Sequence, residues 1–168
     1  MRIDNCSNNA CFRGELLFTR AGRTAVKQCR DVKVLESLKK AKQTIADTTY
    51  IDLEVDKNLK LKLIGLKDLY WGDFKSDIFK DVNLDQFNHL VIDNKYTVAR
   101  DSIENDEDAI RYSVWKSEDG KNLDINDINT LLSIGIELDK AATRHENKCL
   151  ADNVFAGYMK KLREDILN

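Results

Sequence analysis

TYIDLEVDKNLKLKLIGL, residues 49–66, is the stretch that decides the fold class. Ile51, Leu53 and Val55 alternate with Asp52, Glu54 and Asp56, and Leu59, Leu61 and Leu63 alternate with Lys60 and Lys62. A period of two is the mark of strands with one buried face. The spacing predicts a hairpin closed by Asp56-Lys57-Asn58, with Asn58 in the left-handed conformation. That register pairs Val55 with Leu59, Leu53 with Leu61 and Ile51 with Leu63, and sets Glu54 opposite Lys60 and Asp52 opposite Lys62.

Working outward, Ala10 to Phe18 and Thr24 to Cys29 read as two strands around a turn at Arg20-Ala21-Gly22-Arg23. Asp31 offers an N-cap to a helix over Val32 to Ala46, in which Val34, Leu35, Leu38, Ala41 and Ile45 recur at helical spacing. On the other side, Trp71, Phe74 and Ile78 suggest a short helix within Asp68 to Lys80, against the local cost of Gly72. A further hairpin is expected from Phe87 to Ile92 and Tyr96 to Arg100 across Asp93-Asn94-Lys95, then a strand from Ala109 to Trp115 ended by Asp119-Gly120. Asp124 is a cap for a helix carrying Ile125, Ile128, Leu131, Leu132, Gly135 and Leu138. From about Asn147 a last helix carries Leu150, Val154, Tyr158, Leu162 and Ile166. The expected fold is α+β: a mainly antiparallel sheet built from hairpins, one helix after the first hairpin, and two antiparallel C-terminal helices. Residues 1–9 read as a flexible polar lead-in and 10–168 as a single domain.

With 42% hydrophobic and 33% charged residues, the chain has the composition of a folded globular protein. No apolar run approaches the roughly 18 residues of a membrane helix, and Met1 to Phe12 is too polar for a signal peptide, so a cytoplasmic protein without membrane contact is expected. Delivery to another cell by a non-classical route stays open. The absence of proline beside abundant Lys, Asn, Ile and Asp suggests an AT-rich coding sequence of bacterial, phage or plasmid origin. Cys6, Cys11, Cys29 and Cys149 are expected as free thiols, with Cys6 and Cys11 the first to oxidise.

Charge is unevenly spread. Residues 1–30 hold Arg2, Arg13, Arg20, Arg23, Lys27 and Arg30 against Asp4 and Glu15, a local charge of +4, within a chain whose net charge is −2. A hairpin presenting Arg13, Arg20, Arg23 and Arg30 suits phosphates or an acidic protein surface. The opposite pole, with Glu104, Asp106 and Glu107, suits a basic partner. Tyr70 and Trp71 head an aromatic group that suits a docking surface, core packing being its commoner use.

Three chemical constellations stand beside these surfaces. His145 and Cys149, four apart on a helix, are half a zinc site or a thiol–imidazole pair, and Cys29 with His89 is a second such pair. The segment around Gly120 fails as a calcium loop, because Trp115 and Asn126 stand where carboxylates belong. Phosphate-loop, dinucleotide, nucleophile-elbow and zincin motifs are all absent, and no pattern calls for a cofactor or a metal. These features point to a small non-catalytic protein-binding protein of the inhibitor, immunity-factor, adaptor or delivered-effector kind, acting through its polarised charge. An enzyme using an unrecognised Cys/His site, and a nucleic-acid-binding module using the Arg-rich hairpin, are the alternatives. Oligomeric state is left open.

Overall fold

The computed structural model describes residues 4–6, 9–11, 13–66, 71–103 and 106–168, with the backbone alone at 4–6, 9–11, 73, 102 and 106–108. Its first lesson is the turn at Asp56. The Asp56 carboxylate accepts the N–H groups of Asn58 and Lys60 (2.9 and 3.0 Å), and its carbonyl accepts that of Leu59 (3.0 Å). Aspartate at the first position is what a type I turn favours, and the loop therefore opens after Asp56, with Leu59 at φ 57 in the left-handed site. The loop keeps its expected three residues but starts one residue later. Cross-strand partners accordingly move by two: Val55 faces Leu61, Glu54 faces Lys62, Leu53 faces Leu63 and Asp52 faces Ile64. Parity is preserved, so the apolar face is the one expected. Asp85 repeats the device: its carboxylate accepts from Phe87 and His89 (2.8 and 2.9 Å), with Asn88 at φ 62.

In chain order the elements are strands β1 (Asp4–Cys6), β2 (Asn9–Cys11) and β3 (Leu16–Phe18), helices α1 (Arg20–Gln28) and α2 (Val32–Ile45), strands β4 (Ile51–Val55), β5 (Leu61–Gly65), β6 (Val82–Leu84), β7 (Leu90–Ile92), β8 (Tyr96–Ile103) and β9 (Asp106–Lys116), and helix α3 (Ile128–Leu167). Single 3-10 turns occupy Trp71–Asp73 and Ile125–Asp127. β1 and β2 form a ladder of their own that runs from the expected polar lead-in into the start of the expected domain, and the other strands form one sheet in the order β3-β4-β5-β9-β8-β7-β6. Every neighbouring pair in that sheet is antiparallel except β3 and β4, which run parallel because α1 and α2 carry the chain across between them.

Three expectations change. Thr24 to Cys29 is not a strand. Thr19 caps α1 by accepting the Gly22 N–H (2.9 Å), and its own N–H is held by the Val55 carbonyl (3.1 Å), so a helix starts where a turn was expected. Residues 71–80 hold one 3-10 turn instead of a helix, because Ser76 Oγ accepts the N–H groups of Ile78 and Phe79 and turns the chain away; 68–70 lie outside the described residues. The two C-terminal helices are one of 40 residues. Between Ile136 and Ala156 there is neither glycine nor proline, so nothing interrupts the hydrogen-bond ladder.

Elsewhere local rules hold. Asp31 caps α2 through Lys33 and Val34, and Asp124 with Asp127 makes a capping box ahead of α3. Asp93 and Asn94, at φ 53 and 55, give the β7–β8 turn the dihedral signs of type I′. The core lies between one face of the sheet, with Ile51, Leu53, Val55, Leu63 and Tyr112, and the inner faces of α2 (Leu38, Ala41, Ile45) and α3 (Leu131, Ile134, Leu138, Ala141).

Asp139 of α3 ties the helix to the sheet by accepting the N–H groups of Thr49 and Tyr50 (3.0 and 2.6 Å) at the entrance of β4. Burial, the larger influence, raises its carboxyl above the ordinary value, while the Tyr50 and Thr49 N–H groups pull it down. A carboxyl whose pKa is higher folded than unfolded favours the fold below its unfolded pKa, and that contribution is lost as pH rises through the folded one. Asp139→Asn keeps the acceptor and removes the charge, so this part of the pH dependence should flatten, with stability at neutral pH equal to or above wild type. Asp139→Ala strands both N–H groups and should cost about 1–2 kcal/mol. Urea unfolding of the three proteins across the acid range measures both effects; an Asp139→Asn curve that kept the wild-type slope would remove Asp139 as its source.

Candidate functional site

The four arginines expected on a hairpin are distributed over α1 and its flanks. Arg13, exposed, donates from Nε to the Ala46 carbonyl at the end of α2 (3.2 Å), a favourable place for a cation. Arg20 and Arg23 lie on α1 itself, where with Lys27 they fall on one exposed helical face, and Arg30 is exposed just beyond it. Trp71 is not displayed: only 7% exposed, it donates from Nε1 to the Asn88 carbonyl (3.0 Å) and packs tilted against the Tyr112 ring, with the Arg100 guanidinium 5.4 Å from its ring centre. Tyr70 and Glu104 lie outside the described residues. Asp106 and Glu107 begin β9 by their backbone, and their side chains are likewise undescribed.

The thiol and imidazole groups are kept apart or exposed. Cys29 is half-buried between α1 and α2, while His89 stands by β7 near the other end of the sheet order, its Nδ1 3.4 Å from Asp85 and its ring edge-on to Trp115. Burial pushes the Asp85 carboxyl up, but the His89 and Phe87 N–H groups and the His89 ring bring it below the usual carboxylate range. This is the chemistry of a turn, with no nucleophile beside it. His145 Nε2 and Cys149 Sγ do meet, at 3.7 Å, on α3. Cys149 is exposed, however, and among the described residues no three His, Cys, Asp or Glu groups are placed to hold a metal. A shallow, open depression of about 310 Å³ between α2 and the start of α3 offers Lys33, Glu36, Ser37 and Lys40 to solvent, and nothing there is positioned as nucleophile and base.

The feature without an internal explanation is the outer half of α3. From Asn147 onward every residue is exposed except half-buried Met159. Leu150 (55% exposed), Val154 (74%), Phe155 (66%), Tyr158 (60%), Leu162 (37%) and Ile166 (80%) form a stripe along it. At 100° per residue, Val154, Tyr158 and Leu162 point about 180° away from Leu131, Leu138 and Ala142, which bury the inner half. The side that is core in the inner half continues outward as Cys149, Ala156, Lys160, Arg163 and Leu167. The centre of the apolar face therefore shifts round the helix after His145, although Leu150 continues the line of buried Leu132 and Phe155 that of buried Glu137, and beyond Asn147 these side chains are exposed.

Sequence reading found five of these residues but assigned them a partner helix within the chain, and it missed Phe155 and Met159.

No protein-family model matches this chain, and no curated protein or solved structure matches it significantly. Among the described residues no helix is long and apolar enough to cross a membrane.

Proposed function

We propose that the chain is a non-catalytic cytoplasmic protein whose work is to bind another protein chain through the outer half of α3. The observation that carries this reading is the set from Leu150 to Ile166: several large apolar side chains, all exposed, winding over about 160° of a helix continuous with the core. Contiguous apolar surface of that extent is uncommon on a chain with no partner, and an amphipathic helix docks by laying its apolar face against a complementary one. The polarised charge then steers and orients the encounter and does not drive it. A nucleic-acid reading has one specific support, the exposed face of Arg20, Arg23 and Lys27 on α1.

Comparative affinity capture from lysate separates the two. Phe155→Glu with Leu162→Glu should abolish the capture of a nuclease-resistant protein partner while leaving the unfolding midpoint of the domain within about 2 °C, since both side chains lie outside the core. Arg20→Glu with Arg23→Glu should change the salt dependence of that capture and leave its identity intact. Retention that survives the α3 substitutions but is lost with the α1 substitutions and on nuclease treatment would replace this reading with the nucleic-acid one.

A further inference from the structure

We infer that the open edge of the sheet at β6 takes an extended segment of another protein as an added strand, one whose apolar residues are flanked by Lys or Arg. This is a second surface, independent of the binding proposed for α3. β6 is the last strand in the sheet order and is paired on one side only, with β7. The Asp93 N–H donates to the Asp81 carbonyl (2.6 Å) and the Asp85 N–H to the His89 carbonyl (3.0 Å). Backbone groups alternate sides along an antiparallel strand, so Asp81, Asn83 and Asp85 bond toward β7, and Val82 and Leu84 turn their N–H and C=O groups outward. Among the described residues no other backbone group bonds them. Such a row is matched by one kind of partner, another main chain in extended conformation.

The side chains on the core face specify half of the partner. Val82 is level with Ile92 and Leu84 with Leu90; Ile92 and Leu90 are fully buried, yet Leu84 is 49% exposed. The apolar layer of the core therefore reaches the edge and stops there uncovered, with exposed Ile78 and Phe87 just before and after it in the chain. Residues 81–87, DVNLDQF, hold no lysine, and the β6–β7 register runs without a bulge, so two common guards of an edge strand are missing. Apolar residues opposite Val82 and Leu84 would extend the core layer by one strand.

Charge specifies the other half. Asp81, Asn83 and Asp85 lie on the opposite face of the strand. A second copy using the same outward groups would pair antiparallel about Asn83 and set Asp81 of each copy opposite Asp85 of the other, with Cβ atoms about 5 Å apart. Two such pairs of like charge disfavour self-pairing. The same carboxylates favour a foreign strand that carries Lys or Arg at those positions, which fixes the alternation of the partner as basic, apolar, polar, apolar, basic.

Amide hydrogen exchange of the purified full chain, read residue by residue by NMR at low salt, tests this with the capped synthetic peptide Lys-Val-Thr-Val-Lys as probe. In the free protein the Val82 and Leu84 amides should exchange freely and the Asn83 amide more slowly. Peptide at about ten times its dissociation constant should slow exchange at Val82 and Leu84 about tenfold and leave α3 unchanged. The same peptide N-methylated at both valines lacks the donors that face the edge and should have no effect. Glu-Val-Thr-Val-Glu should bind about tenfold more weakly. No slowing with millimolar Lys peptide, or equal slowing by the N-methylated one, would overturn strand addition; equal binding of the Glu peptide would overturn the basic partner. Val82 and Leu84 amides already protected in the free protein would also overturn the inference: protection at every concentration would mean that the chain covers its own edge, and protection that grows with protein concentration that a second copy does.

Discussion

Gly14→Ala is expected to destabilise the chain by about 3 kcal/mol or more, lowering the melting temperature by about 10 °C. A Cβ built on Gly14 runs into the carbonyl oxygens of Ile45 and Ile51 and the hydroxyl of Thr48. Two of these three atoms are backbone and cannot swing aside. They also share one proton: the Thr48 hydroxyl lies within hydrogen-bonding distance of both Ile45 O and Ile51 O (2.7 and 2.9 Å), and the Gly14 N–H is held by the Thr48 carbonyl (2.8 Å). Relieving the clash means opening the junction where the end of α2, the entrance of β4 and the chain ahead of β3 meet. Gly157→Ala is the control, since a Cβ there meets nothing within 4 Å and alanine favours a helix interior by about 0.5–1 kcal/mol. Urea unfolding of both variants checks this; a Gly14→Ala midpoint equal to wild type would mean the junction yields at no cost.

The second large effect is at Leu53. Fully buried in β4, it is paired with Leu16 on one side and Leu63 on the other, so its methyl groups are surrounded from three strands and the helices above. Leu53→Ala should cost about 3–5 kcal/mol, the transfer loss plus a cavity that the flanking ladders keep from collapsing. Val32→Ala, on a residue 64% exposed, should stay within about 0.5 kcal/mol. Comparable losses at the two positions would mean that the two-residue period of residues 51–55 does not mark the core face.

Local features were legible because their energies are local. Asp31 and Asp124 cap helices at the positions a cap must occupy, α2 spans its predicted residues to within one, and the alternation of Ile51, Leu53 and Val55 names the buried face whatever the partner strand. The hairpin register was legible only in part: Asp56 and Leu59 were both visible, but the loop was counted from Asp56 instead of after it. The repeat of the same turn at Asp85 and Asn88 was the signal that would have corrected it.

The candidate site was less legible. Basic residues at 13, 20, 23 and 30 look like one surface along the chain, yet Arg13 ends on the Ala46 carbonyl while Arg20 and Arg23 turn out on a helix. Trp71 could be placed in the core or on a surface with equal ease, because an aromatic cluster has the same pattern in either place.

By itself the amino-acid sequence determined an α+β chain with single-faced strands, capped helices and a second apolar stripe after Asn147. Only the tertiary structure decided that β3 lies parallel to β4, that Thr24 to Gln28 is helical, that Trp71 is buried, and that α3 runs on unbroken with its outer half exposed. Periodicity records that a face seeks cover; which surface supplies it is set by the packing of residues distant in sequence, which no local spacing contains.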